Sequence, residues 1–238
     1  QGNVLKSREI VEEGDPRIMI LLALDRSGSM AGTKLTESLK ASIFFALCFI
    51  EISQRSGRPI DFSLIFFDDS VSQVKRFDDD YDDVTRKTWP DGPRSTVKKR
   101  LITQSKRSGG TDLGAAIVEG NNQLAQRKKL YPDYMSCLFV ISDGETFGAL
   151  KGEKLTRFLQ GLEAYQGKKM GKHLKMGIFL RGGKDLDAAA KAQPTPMEQY
   201  FGSRGKGTVV VDDFDELVPE ARKVLKKALI RMAERLFS

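Results

Sequence analysis

The chain has 238 residues, 40% of them hydrophobic and 30% charged. That suffices for one α/β domain with a full core, is short for two, and excludes an intrinsically disordered chain. The formal net charge is +7, and much of the excess sits in short runs (Lys98 to Arg100; Lys168, Lys169 and Lys172; Lys226 and Lys227) that read as solvated faces rather than as a surface for nucleic acid or an anionic membrane.

In chain order, residues 1–16 are a polar N-terminal extension without the apolar stretch of a signal peptide, and residues 17–238 read as one domain. The run Ile18 to Leu24 is almost continuously apolar, as expected of a strand buried on both faces. It is followed by Asp25-Arg26-Ser27-Gly28-Ser29-Met30. Leu39, Ile43, Ala46, Leu47 and Ile50 then recur at helical spacing, which predicts a helix from about Lys34 to Gln54, stopped by the Ser56 to Pro59 segment. Asp61 to Phe67 is a second apolar run. Ser70 to Phe77 alternates apolar and polar after a tight turn, which predicts a hairpin and an edge strand.

Asp78 to Lys106 reads as a long charged loop with one short helix. Its acidic run Phe77 to Asp83 lacks the glycine and terminal glutamate of an EF-hand loop. A helix is expected after Thr111, capped by Thr111 or Asp112. Cys137 to Ile141 is a third buried strand, leading into Ser142-Asp143-Gly144-Glu145. A helix over about Leu150 to Tyr165 and strands at Gly177 to Leu180 and Thr208 to Val211 follow. The last helix starts at a capping-box pattern, Asp213 to Glu216, and runs almost to the end, with Leu217, Ala221, Val224, Leu225, Ala228 and Met232 on one face.

Strands alternating with helices predict a doubly wound, Rossmann-like sheet of six strands, mostly parallel with one antiparallel edge strand and with helices on both faces. Ligands of such sheets bind beyond the carboxyl ends of the strands. Asp25, Ser27 and Ser29 follow one strand, and alternation in an extended loop would point all three side chains the same way. Thr111 lies in the glycine-rich Ser108 to Gly114 segment, and Asp143 ends another buried strand. Carboxylate and hydroxyl oxygens are hard donors, suited to Mg²⁺ or Mn²⁺, with Ca²⁺ possible, and poorly suited to zinc.

Asp25-Arg26-Ser27-Gly28-Ser29, then Gly109-Gly110-Thr111-Asp112, then Ser142-Asp143-Gly144 resembles the metal-ion-dependent adhesion site (MIDAS) of von Willebrand factor A domains. The order and the spacings agree over about Arg17 to Leu236, and no element of the pattern is missing. The resemblance implies that Ser27 and Ser29 bind a divalent ion directly and that Thr111 does so in a high-affinity state. It implies that Asp25 and Asp143 act directly or through water, and that a partner protein's Asp or Glu carboxylate completes the ion's shell. It also implies that the strand ending in Asp143 lies beside the one ending in Asp25.

Cys48 and Cys137 each lie in an apolar run and are expected to be buried free thiols of a reducing compartment. With no run of about 20 apolar residues, the expected setting is cytoplasmic. There the resemblance points to the intracellular, prokaryotic-like A domains that work beside AAA+ ATPases, including those of the metal-chelatase type.

Two other classes fit the sequence less well. A Mg²⁺-dependent phosphoryl-transfer enzyme of the haloacid-dehalogenase-like kind needs a second aspartate two residues after the first, where this chain has Ser27. The only histidine, His173, stands far from the motifs, and Glu145 suits the first turn of a helix without any role as a base. An RNA-associated A domain lacks support because Trp89 is alone and the basic residues are dispersed. A binding module without catalytic residues is the expected outcome.

Overall fold

Valine, isoleucine, leucine and phenylalanine runs build the centre of the sheet. A computed structural model describes residues 18–56, 60–77, 109–143, 150–171, 173–180, 196–202 and 207–211, with Pro219 and Lys223 as isolated helical positions. Among the described residues there are six strands: β1 (Ile18–Asp25), β2 (Ile60–Phe67), β3 (Val71–Lys75), β4 (Met135–Ser142), β5 (His173–Leu180) and β6 (Thr208–Val211). They lie in the order β3-β2-β1-β4-β5-β6. All neighbours pair in parallel except β2 and β3, the expected hairpin, whose register shifts between Leu64 and Ile65. The sheet expected from the sequence is the one observed.

The helices are α1 (Thr33–Ser56), α2 (Leu113–Leu130), α3 (Gly152–Met170) and α4 (Pro196–Phe201). The period-two alternation of β1 divides the core between them. Ile20, Leu22 and Leu24 join a cluster with Ala41 and Phe45 of α1. Met19, Leu21 and Ala23 face the opposite cluster, with Leu113, Ala116, Ile117 and Leu124 of α2 and Leu155, Leu159 and Leu162 of α3. Each such leucine or isoleucine is worth roughly 1.5–3 kcal/mol when fully buried. At Gly120 the second layer comes close: a Cβ there would sit 3.0 Å from Leu138 Cδ1 and 3.1 Å from Leu21 Cδ2.

Some boundaries differ from expectation. The third helix continues to Met170 because Gln166 and Met170 are themselves buried and keep its inner face going beyond Tyr165. The short helix α4 was not expected. Pro196 occupies its first position, where a missing N–H costs nothing. Tyr200 and Phe201 anchor it in the core. Neither cysteine is in a disulfide; Cys137 is buried and Cys48 half-buried. Among the described residues no helix is long and apolar enough to cross a membrane. The charged segment 78–106, Glu145 and nearly all of the last helix lie outside the described residues.

Candidate metal centre

The register of β1 against β4 pairs Leu24 with Ile141, so Asp25 and the Ser142-Asp143 pair leave the sheet side by side at its carboxyl edge. Asp25 is fully buried. Its Oδ1 accepts the Ser27 N–H at 2.8 Å and its Oδ2 accepts the Ser142 hydroxyl at 2.5 Å. Ser27 Oγ lies 3.0 Å from Ser29 Oγ, and Ser29 Oγ donates to Asp143 Oδ1 at 2.8 Å. Asp143 Oδ2 accepts Lys34 Nζ at 2.5 Å. One connected hydrogen-bond chain therefore joins Asp25, through the Ser27 N–H, to the oxygens of Ser27, Ser29 and Asp143.

The loop after β1 is not extended, which corrects the basis on which its side chains were expected to converge. Gly28–Met30 is a 3-10 turn, closed by Met30 N–H to Ser27 O at 3.0 Å and Ala31 N–H to Gly28 O at 3.1 Å. The turn, rather than strand-like alternation, brings Ser27 and Ser29 together. Gly32, at φ +80°, then supplies the left-handed step that leads into α1.

Thr111 arrives from a different part of the chain. Gly28 N–H donates to Gly109 O at 3.1 Å, and Asp112 N–H donates to Asp68 O at 2.7 Å. These two bonds lay the segment containing Thr111 against both the serine loop and the β2–β3 turn. Asp112, not Thr111, caps α2, its carboxylate accepting from Ala115 N–H at 2.9 Å. Thr111 is half-buried beside the site.

Behind the site Arg26 is buried. Its guanidinium donates to Asp68 Oδ2 at 2.8 Å and to Ser72 Oγ at 2.9 Å and lies over the Phe66 ring. Asp68 also accepts the Ser70 N–H and hydroxyl. Hydrogen bonds from Ser70 and Arg26 hold its carboxyl below the usual range, although burial acts the other way. Sequence reasoning missed Arg26, Ser142 and Lys34. For Lys34 a signal existed: a cation in the first turn of a helix opposes the helix dipole.

Residues 20–145 match the family model of the von Willebrand factor type A domain, more than half of the chain. The chain belongs to the von Willebrand factor A family. Among solved structures, the A domain is similar to three of proximal thread matrix protein 1 from the mussel byssus. One, with a zinc-occupied MIDAS motif, has a TM-score of 0.58 at 14% identity, covering 88% of this chain and 47% of that one. A second crystal form gives 0.53 at 13% identity over 88% and 47%, and a third structure 0.52 at 13% over 90% and 46%. The chain thus spans about half the length of these neighbours. No curated protein matches it.

Burial raises the Asp25 carboxyl to about 6, with the charge of Asp143 adding to the effect; hydrogen bonds from Ser142 and Ser27 oppose it. A buried carboxylate with a raised proton affinity is one that gains from a cation. The A domain brings two carboxylates, Asp25 and Asp143, together with the hydroxyls of Ser27 and Ser29 here, with the Thr111 segment tied alongside. Among the described residues no group of three or more His, Cys, Asp and Glu stands together, so this site rests on two carboxylates and neutral hydroxyls. An octahedral ion with ligands at about 2.0–2.1 Å holds adjacent oxygens roughly 2.9 Å apart. The spacings of 3.0 Å from Ser27 to Ser29 and 2.8 Å from Ser29 to Asp143 meet that demand without the loops spreading. The donor set fits a compact divalent cation. Ser29 is exposed while Asp25 and Ser27 are buried, so the site opens to solvent on one side only.

Proposed function

We propose that this A domain is a metal-dependent protein-interaction module. Asp25, Ser27, Ser29, Thr111 and Asp143 hold one divalent cation, Mg²⁺ by preference, and a partner's Asp or Glu carboxylate completes its shell. The observation that carries the reading is the oxygen chain Ser27–Ser29–Asp143 beside buried Asp25, at spacings an octahedral ion accepts. Neutral hydroxyls donate little charge, so an ion bound here stays electrophilic and a carboxylate neutralises it. The zinc in the MIDAS motif of the mussel protein supports a divalent ion in such a site. Oxygen donors favour a harder ion in this chain.

The domain performs no catalysis in this reading. The setting proposed is cytoplasmic, with an AAA+ ATPase as the partner, in line with two cysteines outside any disulfide and with the A domains that this sequence resembles.

Water-proton relaxation with Mn²⁺ as the bound ion tests the core of the proposal. One Mn²⁺ per chain should bind, Mg²⁺ should displace it, and Asp25→Ala should abolish uptake. A short glutamate peptide should then lower the relaxation enhancement by replacing an ion-bound water, and its amide analogue should not. Uptake unchanged by Asp25→Ala, or equal responses to the two peptides, refutes the reading. Thr111→Ala should weaken the response to the peptide more than the uptake of Mn²⁺, whereas Ser27→Ala should damage both.

A further inference from the structure

Both oxygens of Asp143 are engaged in this structure: Oδ1 by Ser29 and Oδ2 by the ammonium of Lys34. Lys34 is the second residue of α1, and no acidic side chain accompanies it in that first turn. A cation at a helix N-terminus meets the positive end of the dipole and is disfavoured there by a few tenths of a kcal/mol or more. The contact with Asp143 supplies what offsets this. The two side chains are not equally enclosed. Asp143 is 4% exposed, whereas Lys34 is 24% exposed and has a flexible four-carbon stem with a solvent-facing edge.

Resting on the reading that the five oxygen donors bind a divalent cation, we propose that Lys34 is a built-in competitor for that ion. Its ammonium neutralises Asp143 while no metal is bound and is expelled toward solvent when the ion enters.

The argument is one of charge. Asp25 and Asp143 leave neighbouring parallel strands at the same sheet edge. Without a cation, two carboxylates at one sheet edge repel, and Lys34 removes that repulsion. A divalent ion placed among the same oxygens supplies twice the charge and repels the ammonium at short range, where the low local dielectric screens little. Asp143, enclosed and bonded to Ser29, cannot leave. Lys34, with access to water, can. Ion uptake therefore includes breaking the Lys34–Asp143 pair, and the affinity of the site is lower than its donors alone would give. Arginine at this position would bind Asp143 at least as firmly; an uncharged side chain would not compete.

Calorimetric titration of Mg²⁺ into the full chain, together with thermal unfolding in EDTA, tests this. Methionine has the length and helix propensity of lysine without its charge. Lys34→Met should bind Mg²⁺ about tenfold more tightly, a change of about 1.4 kcal/mol. In EDTA it should unfold at a lower temperature than the wild type, because Asp143 loses its counter-ion, and saturating Mg²⁺ should close that gap. Lys34→Arg should bind no more tightly than the wild type. If the wild type binds Mg²⁺ and Lys34→Met binds equally or more weakly, or is as stable as the wild type in EDTA, Lys34 is not a competitor. If neither protein takes up the ion, the metal-site reading falls as well, so the two failures are distinct.

Discussion

Asp25 sets the behaviour of the site as pH changes. Its carboxyl, near 6 in the folded chain because of burial, returns to about 3.9 on unfolding. A carboxyl raised by folding holds its proton more tightly in the native state. Its contribution is therefore fully present below the unfolded value and is lost as pH rises through about 6. In EDTA, the melting temperature should fall between about pH 4 and pH 6.5, and Asp25→Asn should flatten that slope. A wild-type profile as flat as that of the variant would show that Asp25 does not titrate there. Arg26 gives an opposite case. Its side chain is 2% exposed and that of Asp68 5%, and removing one member of a buried pair leaves the other charged and without its counter-ion. Arg26→Met should cost about 3–5 kcal/mol in urea denaturation. A loss under about 1 kcal/mol would mean that Ser70 alone satisfies Asp68.

At the level of elements, Asp112 does two jobs: its carboxylate caps α2, and its N–H ties the Thr111 segment to the β2–β3 turn. Asp112→Ala should lower stability by about 1 kcal/mol while leaving the backbone tie, so Mg²⁺ affinity should fall less than threefold; a larger loss by calorimetry would make the cap part of the site's rigidity. The strands were legible because a strand buried on both faces has one requirement, continuous apolar side chains, and Met19 to Leu24 and Cys137 to Ile141 state it plainly. The helix Pro196–Phe201 was not, since six residues carry too little periodicity and two prolines precede Met197. Nor was the 3-10 turn at Gly28–Met30, where Ser-Gly-Ser suits several turn types equally. Asp25 and Asp143, as candidate ligands, were readable from their positions at strand ends, and Ser27 and Ser29 from the loop that follows. The partners that hold them, Ser142 on Asp25 and Lys34 on Asp143, depend on which oxygen faces which atom, and only coordinates carry that.

Across the molecule, the site exists only where three distant stretches of chain meet. Ser29 and Asp143, in contact through a hydrogen bond, are 114 positions apart, and Gly28 reaches Gly109. The Ser29–Asp143 contact requires β1 and β4 to be paired in parallel, with α1, β2, β3 and α2 between them in the chain. Such non-local pairing slows folding, and the expectation is that the oxygen cluster is completed late. An ion that recognises only the finished cluster acts on one direction of the reaction. At about a hundred times its dissociation constant, Mg²⁺ should stabilise the native state by about 2.7 kcal/mol. Nearly all of that should appear as slower unfolding, about a hundredfold, with the refolding rate unchanged. Stopped-flow mixing with urea, with and without Mg²⁺, reads both limbs. Faster refolding in Mg²⁺ would instead place the β1–β4 junction in the folding nucleus. On the expected outcome the metal acts as a latch: it leaves the speed of assembly alone and lengthens the lifetime of the assembled domain, so a partner that removes the ion would also shorten the time the domain stays folded.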